Sequence, residues 1–64
     1  MFDLEKFLDM IARNRYTKKK LADRLGISVS SLYRRIEKGG AFSVDEVRIM
    51  IALFGKDDVL NSLF

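Results

Sequence analysis

The chain has 64 residues with no cysteine, histidine or proline, an apolar share of 48% and a formal net charge of +3. Disulfide staples, thiolate metal centres and imidazole chemistry are thereby excluded, and packing alone must hold one domain, residues 1–64, near the lower size limit for an unaided core. Scant β-branched alternation points to an all-α fold. No apolar run approaches the roughly 20 residues that cross a bilayer, and Met1–Met10 lacks the basic start of a secretory signal. A soluble, cytoplasmic protein without membrane contact is expected.

The first helix is predicted from Asp3 to about Asn14. Leu4, Phe7, Leu8 and Ile11 recur at three- and four-residue intervals, with acids early and Arg13 and Arg15 late, as the helix dipole prefers. After the connector Asn14-Arg15-Tyr16, Thr17 is the N-cap of a second helix through Leu25, with Tyr16 and Leu21 placed as a hydrophobic staple. Gly26 supplies the left-handed residue that ends it, and Ile27 can fold back on Ala22 or Leu21. Ser28 caps a third helix from Val29 to about Lys38, which stops at Gly39-Gly40.

Phe42, Ser43, Glu46 and Val47 form a capping box with staple that opens a fourth helix. That helix is apolar nearly all round, a pattern that predicts a central position or a covering partner. Gly55 ends it, and Asp57 or Asp58 can open a brief fifth helix containing Val59, Leu60, Leu63 and Phe64.

Two short helices broken by a tight turn, over residues 17–38, with Leu21, Ala22, Leu25, Ile27, Leu32 and Ile36 inward, make a helix-turn-helix pattern. Charge follows it. Arg13 to Lys38 holds nine basic and two acidic residues, a net +7, whereas the remainder holds three basic and seven acidic. A face suited to a polyanion results, and double-stranded DNA is the partner it implies.

With Leu32 and Ile36 buried, about 100° of rotation per residue turns Val29, Ser30, Tyr33, Arg34 and Glu37 outward. Arg34 can chelate guanine O6 and N7, Val29 can touch a thymine methyl, and Ser30 can bond a base or a phosphate, so Val29, Ser30, Tyr33 and Arg34 are the expected base-contacting set. An ordinary solvated helix face is the alternative. Lys18, Lys19 and Lys20 occupy a helix first turn, where the dipole disfavours cations, yet free amides there attract phosphate. They join Thr17, Ser28, Arg35 and Lys38 as candidate phosphate contacts, against the alternative of a solubilising lysine run.

Asp45 with Glu46, and Asp57 with Asp58, sit where helix-opening acids belong, so no metal site or acid–base pair is assigned to them. Neither a glycine-rich phosphate loop, a nucleophile with its base, nor a zinc cluster is present. No enzymatic activity, cofactor or small-molecule ligand is expected.

Over LADRLGISVSSLYRRIEKGGAFSVDEVRIMIALFG, residues 21–55, the chain resembles the phage Cro and repressor family, the Xre-type helix-turn-helix regulators, and in particular small Cro-like proteins of phages from Gram-positive bacteria. Leu21-Ala22, Leu25-Gly26-Ile27-Ser28, the SSLYRR opening of the third helix, the FSxxE start of the fourth and the final Leu63-Phe64 carry the likeness. It implies a compact five-helix, lambda-repressor-like domain that binds operator DNA as a dimer and represses transcription in a bacterial host. The commoner pattern buries residues three apart in the third helix; here Leu32 is followed by Ile36, and Arg35 stands at the position expected to be buried.

Surplus apolar residues in the last two helices predict a homodimer interface at Phe54, Leu60, Leu63 and Phe64. The same surplus leaves open a protein-binding modulator or antirepressor, and a small recombination or excision factor is a third reading.

Overall fold

A computed structural model describes residues 1–64 as five helices without strands: α1 Leu4–Arg13, α2 Lys18–Leu25, α3 Val29–Glu37, α4 Val44–Phe54 and α5 Lys56–Leu63. Four of the five start on a side-chain oxygen that accepts an amide of the first turn. Asp3 accepts from Lys6, Thr17 from Lys20, Ser28 from Ser31 and Ser43 from Glu46. Such caps satisfy donors that a helix cannot satisfy internally, each worth roughly 1 kcal/mol. The box at Ser43 is complete, since the Glu46 carboxylate accepts from the Ser43 amide at 2.9 Å. Helix α5 differs from expectation: it opens at Lys56 behind Gly55 with no side-chain cap, and Asp57 and Asp58 lie inside its first turn.

Three helix ends close in the same way. Tyr16 donates to the Ile11 carbonyl, Ile27 to Ala22 and Gly40 to Arg35, and the residue before each donor lies in the left-handed region. Paired with the shorter bonds Arg15 to Ala12, Gly26 to Asp23 and Gly39 to Ile36, these are Schellman closures. Gly26, at φ 71°, takes the conformation without Cβ strain, whereas Arg15, at φ 58°, takes it as a residue with a side chain.

Phe7, Met10 and Ile11 of α1, Leu21, Ala22 and Leu25 of α2, Leu32 of α3, Met50 and Phe54 of α4, and Val59 and Leu63 of α5 make one core. Helix α1 lies against α5, α4 against α5, and α2 against both α3 and α4. Aromatic rings fill the seams: Phe7 contacts Phe2 and Phe42, at centroid separations of 5.4 and 5.7 Å, and Tyr16 meets Phe54 edge-on at 5.1 Å. The Phe2 ring lies over Gly40, where a Cβ would have no room. The two chain ends meet as well, through the Asp3 amide on the Ser62 carbonyl (2.8 Å) and the Met1 amino group on the Phe64 carbonyl.

Two expectations about packing are corrected. Met10 fills the place in the α1 stripe assigned to Leu4 and Leu8, both of which are exposed. Phe54 and Leu63, expected at a dimer interface, are buried in the chain's own core, which leaves only Leu60 and Phe64 of that set exposed. The apolar surplus of α4 is also mostly absorbed: Val47, Ile49, Ile51 and Leu53 pack half-buried against the core.

Candidate nucleic-acid interface

Thr17 sets the first part of the surface. Its Oγ1 accepts from the Lys20 amide at 3.1 Å, while the Lys18 and Lys19 amides form no hydrogen bond within the chain. Those open donors and the positive end of the dipole lie at the same helix end as three lysines, an arrangement that favours a phosphate and disfavours α2 in isolation. Lys18 is held in place. Its Nζ lies 5.4 Å from the centre of the Tyr33 ring, a cation–π contact between the start of α2 and the exposed flank of α3.

Along α3, Leu32 is fully buried and Val29 and Ile36 pack half-buried against the core. Val29 therefore leaves the outward set: positions 29, 32 and 36 are three and four residues apart in turn, which puts Val29 on the same face as Leu32 and Ile36. Ser30, Arg34, Glu37 and Lys38 remain exposed, and Tyr33 is 45% exposed. A hydrogen-bonded row runs along one side of the helix: the Ser28 hydroxyl donates to Ser31 Oγ at 3.0 Å, and Arg34 Nη2 donates to the same oxygen at 3.3 Å.

Arg35 turns inward. Its Nη2 is 3.0 Å from Glu46 Oε2, with the arginine side chain 28% exposed and the glutamate 10%. Arg35 thus stands, half-buried, at the position that the commoner spacing reserves for an apolar side chain, with its Nη2 tied to Glu46 of α4. Glu46 serves both partners, one oxygen on the Ser43 amide and the other on Arg35. Sequence reading missed this pair. The available signal was that a capping-box glutamate has a second oxygen to satisfy, and that Arg35 stood where burial was due.

Arg24 lies beside Lys20 on α2, whereas Arg13 is engaged within the fold. Arg13 pairs with Asp9 at 2.8 Å and with Asp58 of α5 at 3.3 Å. The hydrogen bonds to Asp9 and then Asp58, with the charge of Asp58, raise its pKa further above the ordinary arginine value. Asp45, Asp57 and Asp58 occupy helix first turns, and no group of His, Cys, Asp and Glu side chains is spaced to hold a metal ion.

A family model described as bacterial regulatory protein, Fis family, matches residues 3–39, from the cap of α1 through the first glycine after α3. The chain belongs to the Fis family of bacterial regulatory proteins. As a Fis-family chain it is a helix-turn-helix DNA-binding regulator. The match takes in every candidate contact residue from Thr17 to Lys38 and stops before α4. The match is to a bacterial helix-turn-helix regulator family and does not extend to the Cro and Xre type or to a phage origin. No curated protein and no solved structure was found to match the chain.

Proposed function

We propose that this Fis-family chain is a Cro-like repressor of a phage or prophage, acting in the host cytoplasm by placing α3 in the major groove of operator DNA, without catalysis or cofactor. One observation carries the reading: the Lys18–Tyr33 contact joins the open N-terminus of α2 to the exposed side of α3, so phosphate donors and base-reading side chains share one surface. Ser30 faces the base edges most directly, with Tyr33 and Arg34 on either side. Thr17, Lys18, Lys19, Lys20 and Ser28 hold phosphates on one flank and Lys38 on the other; Arg35 contributes from its tether to Glu46.

The test is anisotropy on the duplex upstream of the protein's own coding region and on a scrambled duplex, each at two salt concentrations. Neutralising on the order of 4 to 6 phosphates per protomer, each adding about 0.9 to the log–log salt slope, gives a steep dependence. Absence of binding to either duplex at low salt defeats the reading, and a modulator that acts on another regulator gives that result.

Pairing on DNA is part of the same reading. Leu60 and Phe64, the latter 68% exposed, form the contact, and a two-fold axis sets two α3 helices about 34 Å apart on successive major grooves. Sedimentation equilibrium of the intact chain with and without a two-site duplex, repeated on Phe64→Glu, tests it. Single protomers on a palindromic duplex refute the pairing.

A further inference from the structure

The C-terminal half of α3 and the loop that follows it enclose an open cleft of about 320 Å³, lined by Ser31, Arg34, Arg35, Lys38 and Ala41. Residues 31, 34, 35 and 38 fall at helical spacing on one side of α3, and three of the four are cationic. No acid lines the cleft. Cations near a helix C-terminus also satisfy the dipole, so their presence alone has an ordinary cause. The second observation does not: Arg35 Nη1 is buried with no hydrogen-bond partner, while Nη2 is held by Glu46. Buried N–H groups are nearly always paired, and a guanidinium anchored at one nitrogen with its other nitrogen unpaired lacks an acceptor.

We propose that this cleft is a phosphate site, in which Arg35 is a donor fixed by Glu46 and Arg34 and Lys38 close over the same oxyanion. On DNA its occupant is a backbone phosphodiester beside the groove that α3 reads, and that part of the inference rests on the DNA-binding reading above. Arg34 leans along α3 toward Ser31, so this inference moves its guanidinium from the base-reading set given above to the phosphate. Base discrimination then centres on Ser30. Three cations around one phosphate outweigh the partial negative charge of the helix end, roughly half an elementary charge.

The test uses the intact chain with Arg34→Gln or Lys38→Gln, and Lys6→Gln on α1 as a charge-matched control. Arg35 is kept, because removing it strips Glu46 of its partner. Each cleft variant is expected to lower affinity for the preferred and the scrambled duplex by the same factor, with the salt slope of Lys38→Gln reduced by about 0.9, while Lys6→Gln leaves both unchanged. Loss confined to the preferred duplex in Arg34→Gln overturns the inference. A second arm titrates inorganic phosphate into the wild type at constant ionic strength, following the amide signals of Ser31, Lys38 and Ala41 by NMR. Saturable shifts that vanish in Lys38→Gln establish the site for free phosphate even where no duplex binds, in which case the DNA reading falls and the cleft stands. Equal losses on both duplexes without such shifts assign it to the phosphodiester alone. Wild-type DNA binding with neither effect refutes the cleft and leaves the DNA reading intact.

Discussion

Helices α2 and α3 and helices α4 and α5 contribute differently to this molecule. The first pair holds the caps Thr17 and Ser28, the Lys18–Lys20 run and the exposed side of α3, together with four core residues: Leu21, Ala22, Leu25 and Leu32. The second pair has two basic residues against four acidic, and contributes Met50, Phe54, Val59 and Leu63 to the core. With α1 it encloses the apolar space onto which α2 and α3 pack. A charged surface of this kind cannot stabilise itself, since lysines at a helix start and paired arginines on a nine-residue helix oppose or barely aid folding. The two pairs share the anchoring equally, with four core residues each, and differ in charge: the proposed recognition surface lies on the first.

The strongest way to test that contrast is to remove the second pair. A chain ending at Gly40 retains the whole of the family match but loses four of the eleven core residues, and it is expected to be largely unfolded by circular dichroism at 25 °C. A cooperative thermal transition in that fragment would show that the first three helices stand alone. Next in size is Glu46→Ala, which strips half of the capping box and leaves Arg35 unpaired. About 3 kcal/mol of stability should be lost, read from urea denaturation, whereas Glu46→Gln, which keeps one acceptor oxygen for either the Ser43 amide or Arg35, should lose less. Equal losses in the two variants would mean that charge, not hydrogen bonding, holds the joint.

Smaller effects sharpen the contrast from the binding side. Arg15→Gly relieves a left-handed backbone at a residue with a side chain and should stabilise the fold by about 0.5 to 1 kcal/mol, a net figure because glycine also loosens the unfolded chain. A lower urea midpoint would show that the Arg15 conformation carries no strain. Smallest in stability is Lys19→Ala, expected to raise it by a few tenths of a kcal/mol through relief of the α2 dipole while weakening every duplex alike. Opposite signs in the two assays are the signature of a residue kept for binding. A fall in stability would instead assign Lys19 to the fold.

Most of the local structure was legible in the sequence because it is set by neighbours. Thr17, Ser28 and the Ser43–Glu46 box each act within four residues, and Gly26 needs only its own backbone freedom, so helix starts and the corner between α2 and α3 fell where pattern reading put them. What depends on closure of the whole bundle was not legible. Periodicity allows either Leu8 or Met10 on the inward side of α1, and the choice is made by where α5 lies. Likewise, an apolar surplus at Phe54 and Leu63 reads the same whether a partner or the chain itself covers it. Of the candidate surface, the lysine run opens α2 and Ser30 is exposed on α3. Val29 shares the inward face with Leu32 and Ile36, and Arg35, at the edge of that face, reaches Glu46.

The carboxylate of Glu46 joins the end of one helix to the beginning of another, and so acts as a hinge pin. With one oxygen on the Ser43 amide and the other on Arg35, it sets the angle at which α3 leaves the body of the protein. In a paired protein that angle fixes the distance between the two reading helices. On the pairing proposed above, position 46 would govern how many base pairs separate two half-sites, and shortening it to aspartate should alter the preferred spacing while leaving the preferred bases unchanged.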